Sequence, residues 1–139
     1  MRILGLDVGE RRIGVALSDA LGLTAQGLTV LERRTPPTDL EVICALAERH
    51  GVEAIVVGLP LTLRGERGPQ AQRTMAFAAA LRRRVSVPVE FVDERLTTVQ
   101  GERALLATGA SRRKRKQVID RVAAQLILQQ FLDVKHARS

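Results

Sequence analysis

Four acidic side chains in this 139-residue chain stand where a carboxylate needs a physical reason. Asp7 ends an extended segment and shares a side of the pleat with Ile3 and Gly5, since side chains alternate along a strand. Gly5 and Gly9 beside it would let a bulky charged ligand approach the backbone closely. The plainer alternative is a turn-forming Asp that accepts hydrogen bonds from Gly9-Glu10-Arg11. Asp93 and Glu94 close a second extended segment and point to opposite faces. Parity groups Asp93 with Val89 and Phe91, and Glu94 with Glu90 and Val92, without choosing between them; a solvated strand end paired with Arg95 is the competing reading. Asp120 falls between the directions of Ile127 and Phe131 on a helical projection of about 100° per residue, so it faces the apolar side. The pattern also places it in the first turn of a helix, where the dipole favours an anion. A carboxylate turned toward a core is costly unless a metal binds it or a cation pairs with it, here Arg121 or one of the preceding basic residues.

If the strand ends and the helix start converge, two or three of these carboxylates meet at one spot rich in oxygen ligands. Such a set suits Mg²⁺ or Mn²⁺ rather than zinc, because His50 and His136 lie elsewhere, at a helix end and in the tail. Paired divalent ions hydrolyse phosphate esters by lowering the pKa of the attacking water and stabilising the leaving oxygen, so no acyl-type nucleophile is required. Nucleotide-binding loops are not indicated: Gly9 to Gly14 is not followed by Lys-Ser/Thr, and no G-x-G-x-x-G opens a helix. Cys44, the one cysteine, sits among Ile43, Ala45 and Leu46 and reads as a buried apolar residue.

The charge balance agrees with phosphate chemistry. With 22 Lys and Arg against 15 Asp and Glu, the net charge of +7 attracts polyanions. Arg112, Arg113, Lys114, Arg115 and Lys116 are consecutive and are the first candidates for gripping a nucleic-acid backbone, with Arg12 and Arg64 as further ones. The second run, Arg82 to Arg84, is explained as well by a helix dipole as by phosphate. Three Phe and no Tyr or Trp leave little for base stacking, so contact is expected through phosphates.

The elements that must position these residues follow from periodicity and punctuation. Arg2 to Val8 and Ile13 to Asp19 form a hairpin around Gly9-Glu10-Arg11-Arg12, a third strand spans Gly27 to Glu32, and Pro36-Pro37 break the chain. Thr38 to His50 is a helix with a Thr38–Glu41 capping box and Gly51 at its C-terminal end. An apolar strand, Glu53 to Gly58, precedes a loop with Pro60, Gly65 and Gly68; Pro69 opens a helix to about Arg84. A strand over Val89 to Glu94, a helix over Thr97 to Thr108 closed by Gly109, the basic run, and a last helix over roughly Gln117 to Val134 complete the order. An antiparallel meander feeding βαβ units predicts an α/β fold, a five-stranded mixed sheet with helices on both faces, as a single domain over 1–139 with a polar tail from about 135. The 45% hydrophobic content suits one core, no apolar run approaches the ~20 residues of a membrane span, and no signal-peptide layout opens the chain, so a cytoplasmic protein without membrane contact is expected.

The blocks LGLDVGERRIGVALSD, AIVVGLPL with its Gly-rich loop, VEFVDERLTT and KQVIDRVAAQLIL, spread over residues 3–128, resemble the YqgF family, also called RuvX. The resemblance implies the RNase H-like fold and a metal-dependent nuclease that matures the 5′ end of pre-16S ribosomal RNA. Some members look like Holliday-junction resolvases, which implies a homodimer because two strands are cut symmetrically. The family's acidic positions fall on Asp7, the Asp93–Glu94 pair and Asp120, and the resemblance favours Glu94 over Asp93 as ligand and catalytic residue. Departures are visible too. RuvC-type resolvases carry acids where this chain has Gly58-Leu59-Pro60 and near Ala123, which implies a weakly held second ion, and Arg64 replaces a polar or acidic loop residue. Two other readings compete: a resolvase of branched DNA, and a ribosome-assembly factor that binds nucleic acid without cutting it. A phosphotransferase of the actin and sugar-kinase kind needs a far longer chain.

Overall fold

The computed structural model describes residues 1–62, 64–94 and 112–137. The helix expected over Thr97–Thr108 lies outside them, as do the side chains of the run Arg112 to Lys116. The described chain forms strands β1 (Ile3–Val8), β2 (Arg12–Ser18), β3 (Ala25–Glu32), β4 (Ala54–Leu59) and β5 (Val89–Asp93), with helices α1 (Pro36–Arg49), α2 (Pro69–Arg82) and α3 (Arg112–Ala137). The five strands make one sheet in the order β3-β2-β1-β4-β5. β1 pairs antiparallel with β2 and parallel with β4, β2 pairs antiparallel with β3, and β4 pairs parallel with β5. The expected mixed α/β sheet is therefore present.

Alternation along the strands splits the apolar residues into two cores. Leu4, Leu6, Ile13, Val15, Ile55, Val57 and Val89 face Leu40 and Ile43 of α1 and Phe77 and Leu81 of α2. On the opposite face Ile3, Ala16, Val56 and Val92 pack against Ala124, Ile127, Leu128 and Leu132 of α3. Cys44 lies against the first core, where burial raises its thiol pKa. β4, between β1 and β5, is buried at all six residues, as a parallel strand covered on both faces must be.

Three elements begin two or more residues before the predicted start, and α3 continues through Ala137 into the residues expected as a polar tail. α1 begins at Pro36, not Thr38: Thr35 is the N-cap, and its side chain accepts from the Thr38 N–H at 3.4 Å. The two prolines start the helix rather than breaking the chain, because their fixed φ suits the first turn and the N–H they lack has no helical partner there. β3 begins at Ala25, two residues before the predicted Gly27. α3 begins at Arg112, so the basic run is helical and Asp120 lies beyond the first turn. Arg and Lys are strong helix formers, and the run extends the helix instead of preceding it. The favourable dipole expected at Asp120 therefore does not apply.

α3 lies unusually close to the sheet because four strands present glycine beneath it. A Cβ on Gly5 would come within 2.7 Å of Leu128 Cβ, one on Gly14 would overlap the Asp120 carbonyl oxygen, one on Gly27 the Arg121 side chain, and one on Gly58 Ile127 Cδ1. Gly14→Ala is accordingly expected to cost about 1–3 kcal/mol, the range for overpacking a tight contact, and to lower the urea midpoint without changing the slope.

Candidate active site

Each of the three carboxylates is brought in by a different element. Asp7 is the fifth residue of β1, only 8% exposed, and pairs across the hairpin with Gly14 of β2. Because the backbone of α3 at Asp120 rests on Gly14, the same hairpin rung sets the helix residue beside Asp7. Glu94 directly follows β5 and is 3% exposed. The sheet decides between the two acids there: Val92 packs under α3 while Val89 and Phe91 pack on the other side, so alternation sends Glu94 to the face that carries Asp7, and Asp93 away from it. Glu94 Oε1 lies 2.9 Å from where a Gly58 Cβ would be, so the glycine at that position makes room for the carboxylate.

Asp7, Glu94 and Asp120 line one cleft of about 690 Å³, and Asp93 does not. Four arginines line it as well, Arg11 from the β1–β2 turn, Arg33 and Arg34 after β3, and Arg73 on α2, together with Glu10 and Glu32. Of the predicted nucleic-acid contacts, Arg12 reaches the site, and Arg64 is exposed on the loop after β4 without lining the cleft. Asp120 pairs with Arg12, Nε to Oδ2 at 2.7 Å, with both side chains about one-fifth exposed. The cation partner observed is Arg12, a neighbour across the helix–sheet contact, in place of the expected Arg121 or basic run; the side chains of that run lie outside the described residues.

Several cleft residues carry no signal in the sequence pattern. Arg33 donates through Nη1 to the Gly9 carbonyl at 3.0 Å and through Nε to Asp39 Oδ2 at 3.2 Å, and its guanidinium sits 5.3 Å from the Phe77 ring centroid. One side chain therefore ties the turn after Asp7 to α1 and α2. Its clearest trace in the sequence is Asp39, an acid in the first turn of α1 that is 5% exposed and accepts the Arg34 N–H at 3.0 Å. Arg73 pairs with Glu10 of the β1–β2 turn at 3.3 Å, both largely exposed.

The donor set, three carboxylates with no nitrogen or sulfur ligand, fits a hard divalent ion, and Gly58 leaves space beside Glu94. Among the described residues no three His, Cys, Asp or Glu side chains are grouped closely enough to hold one as they stand. Asp120 engages Arg12 instead.

The whole chain can now be set against known proteins. Residues 1–134 match the RuvX family, described as Holliday junction resolvase. The chain belongs to the RuvX family. It is 57% identical over 133 residues to a protein of Moorella thermoacetica, covering 96% of this chain and 95% of the relative, and 52% identical over 136 residues to one of Halothermothrix orenii, covering 98% and 97%. Both relatives are named as candidate pre-16S rRNA nucleases. Among solved structures, this RuvX chain resembles Thermus thermophilus RuvC in complex with a Holliday junction substrate, at a TM-score of 0.62 and 15% identity over 100% of this chain and 98% of that one. The fowlpox virus Holliday junction resolvase follows at a TM-score of 0.56 and 10% identity, over 96% and 99%. These distant likenesses establish the RNase H-like fold.

In this RuvX chain a cation that used Asp120 as a ligand would have to compete with Arg12. Arg12→Gln should tighten Mn²⁺ binding roughly fivefold, the worth of releasing a partly exposed pair of about 1 kcal/mol. Calorimetric titration of both proteins checks this; equal or weaker binding by the variant would show that the pair does not compete.

Proposed function

We propose that this chain is a divalent-metal-dependent endonuclease that hydrolyses phosphodiester bonds in structured nucleic acid, with the 5′ end of pre-16S ribosomal RNA as its substrate. The observation that carries the proposal is that Asp7, Glu94 and Asp120, from two strands and a helix, line one cleft that four arginines also line. Relatives named for pre-16S rRNA processing, at up to 57% identity, support the substrate.

The residues divide the work by position. Asp7 stands at the centre of the sheet, between β2 and β4, and with Glu94 and Asp120 on either side would hold the divalent ions. Ions held there would lower the pKa of a water and stabilise the departing oxygen. As a ligand Asp120 would give up its pair with Arg12, whose guanidinium would then be available to a substrate phosphate. The resemblance to RuvC-type resolvases implies acids where this chain has Gly58-Leu59-Pro60 and near Ala123; Ala123 is buried, 1% exposed, in the core under α3, and adds no ligand. The first turns of α3 carry the run Arg112 to Lys116, assigned to the nucleic-acid backbone.

A second reading, cleavage of four-way DNA junctions by a homodimer, is favoured by the family's description and by the RuvC fold. Both are tested with labelled RNA spanning the 5′ end of small-subunit ribosomal RNA and a four-way DNA junction, in Mn²⁺, Mg²⁺ or EDTA. Cutting of the RNA in metal and not in EDTA, reduced at least a hundredfold in Asp7→Asn, is the expected outcome, on the order of the effect of removing one transition-state electrostatic contact. Preference for the junction would transfer the proposal to recombination, and cutting undiminished in Asp7→Asn would contradict the site. Millimolar Mn²⁺ should also raise the Tm of the wild type and not of Asp7→Asn, since a ligand of the folded state stabilises it. Neutralising Arg112 to Lys116 should flatten the salt dependence of RNA binding, by roughly 0.7–0.9 in slope for each phosphate that no longer has a cation against it.

A further inference from the structure

The wall of the cleft formed by α2 has features that neither the metal site nor the basic run uses. The sheet-facing stripe of α2 is Ala71, Thr74, Phe77, Ala78 and Leu81, buried throughout. Thr74 is its one polar member, 2% exposed, and it lines the cleft. A buried helical Thr ordinarily donates its hydroxyl to the carbonyl one turn back. Here the Thr74 hydroxyl has no hydrogen-bond partner among the described residues. Thr74 lines the cleft, so its hydroxyl is available there to a ligand that takes the place of water.

The residues around it describe that ligand. Gln70 and Arg73 line the cleft beside Thr74, Gln70 one helical turn before it and Arg73 adjacent in the chain. The first turn of α2 is open: its N-cap is Gly68, without a side-chain cap, and no acidic residue lies in the turn. The first helical hydrogen bond comes from the Gln72 N–H to the Gly68 carbonyl at 3.0 Å. Pro69 has no N–H, so the donors of Gln70 and Ala71 are those a ligand would meet. An open helix start, a buried hydroxyl and an arginine select a compact anion with several acceptor oxygens, which is a phosphate.

We propose that Thr74, Arg73 and the first turn of α2 form a phosphate subsite that holds the nucleic-acid strand at a phosphodiester flanking the one that is cut. The flanking position rests on the nuclease reading; binding of the phosphate does not. Arg73 exchanges Glu10 for the incoming phosphate, and the strand is then held from both sides, by α2 and by the start of α3. The chemistry is common to RNA and DNA, so the subsite grips the backbone and leaves substrate choice to other contacts.

The test measures binding in EDTA, where nothing is cut, with the full chain and fluorescein-labelled probes: the ribosomal RNA 5′-end fragment and the four-way DNA junction. Thr74→Val replaces the hydroxyl with a methyl of similar shape, and Thr74→Ser keeps it. Thr74→Val should bind at least one probe roughly tenfold more weakly than the wild type, the effect of removing a hydrogen bond to a charged group, while its Tm is equal or higher. Thr74→Ser should bind like the wild type. Arg73→Gln should reduce the salt slope by about one phosphate's worth. The proposal is overturned if Thr74→Val binds both probes as tightly as the wild type, if Thr74→Ser binds as weakly as Thr74→Val, or if the wild type binds neither probe. A wild type that cuts with unchanged Thr74→Val affinity removes the subsite and leaves the nuclease. One that binds through Thr74 but never cuts removes the nuclease and leaves the subsite.

Discussion

The contact on which the site depends is the descent of α3 onto Gly5, Gly14, Gly27 and Gly58, one glycine on each of four strands. With no Cβ beneath it, the helix backbone at Asp120 comes against β2 at the position paired with Asp7. Any larger residue at Gly14 would lift the helix by the width of a methyl group, and a carboxylate displaced by an ångström is a poor ligand. Gly58 serves twice, admitting Ile127 of α3 and leaving room for the Glu94 carboxylate. The geometry of the candidate site is thus set by backbone packing, which is stiffer than a network of long side chains.

Charge is arranged on that frame so that opposite signs are already in contact. Asp120 is held by Arg12, Asp39 by Arg33, and Glu10 by Arg73. Two of these pairs, Arg12–Asp120 and Glu10–Arg73, lie where a polyanion and its cations would enter, and each can trade its protein partner for a solution one at little net cost. The third is different. Arg33 is packed over Phe77 and bonded to the Gly9 carbonyl and the nearly buried Asp39, so it holds the turn after Asp7 in place and is poorly suited to exchange.

Much of this is legible in the sequence, for reasons that are local. The β1–β2 hairpin, the apolar β4 and the side of β1 that carries Asp7 all follow from period-two alternation, and the apolar direction of Asp120 follows from a helical projection. What is not legible depends on tertiary contact. Glu94 separates from Asp93 only because α3 covers the face shared with Val92. The start of α3 is misplaced by sequence pattern because five basic residues carry no apolar periodicity, although they favour a helix. Arg33 gives no local signal because its partner Gly9 is 24 residues away. Thr74 leaves one faint trace, a hydroxyl in the apolar stripe Ala71, Phe77, Ala78 and Leu81.

The most direct measurement is a crystal structure of the chain grown in Mn²⁺ with anomalous diffraction data, because the positions of the ions report on all three carboxylates at once. An anomalous peak contacting Asp7 and Glu94, with Asp120 turned away from Arg12 to join them, is the expected result. Manganese bound elsewhere, or Asp120 still on Arg12 with the cleft free of anomalous signal at saturating metal, would contradict the assignment of these residues as one metal-binding site.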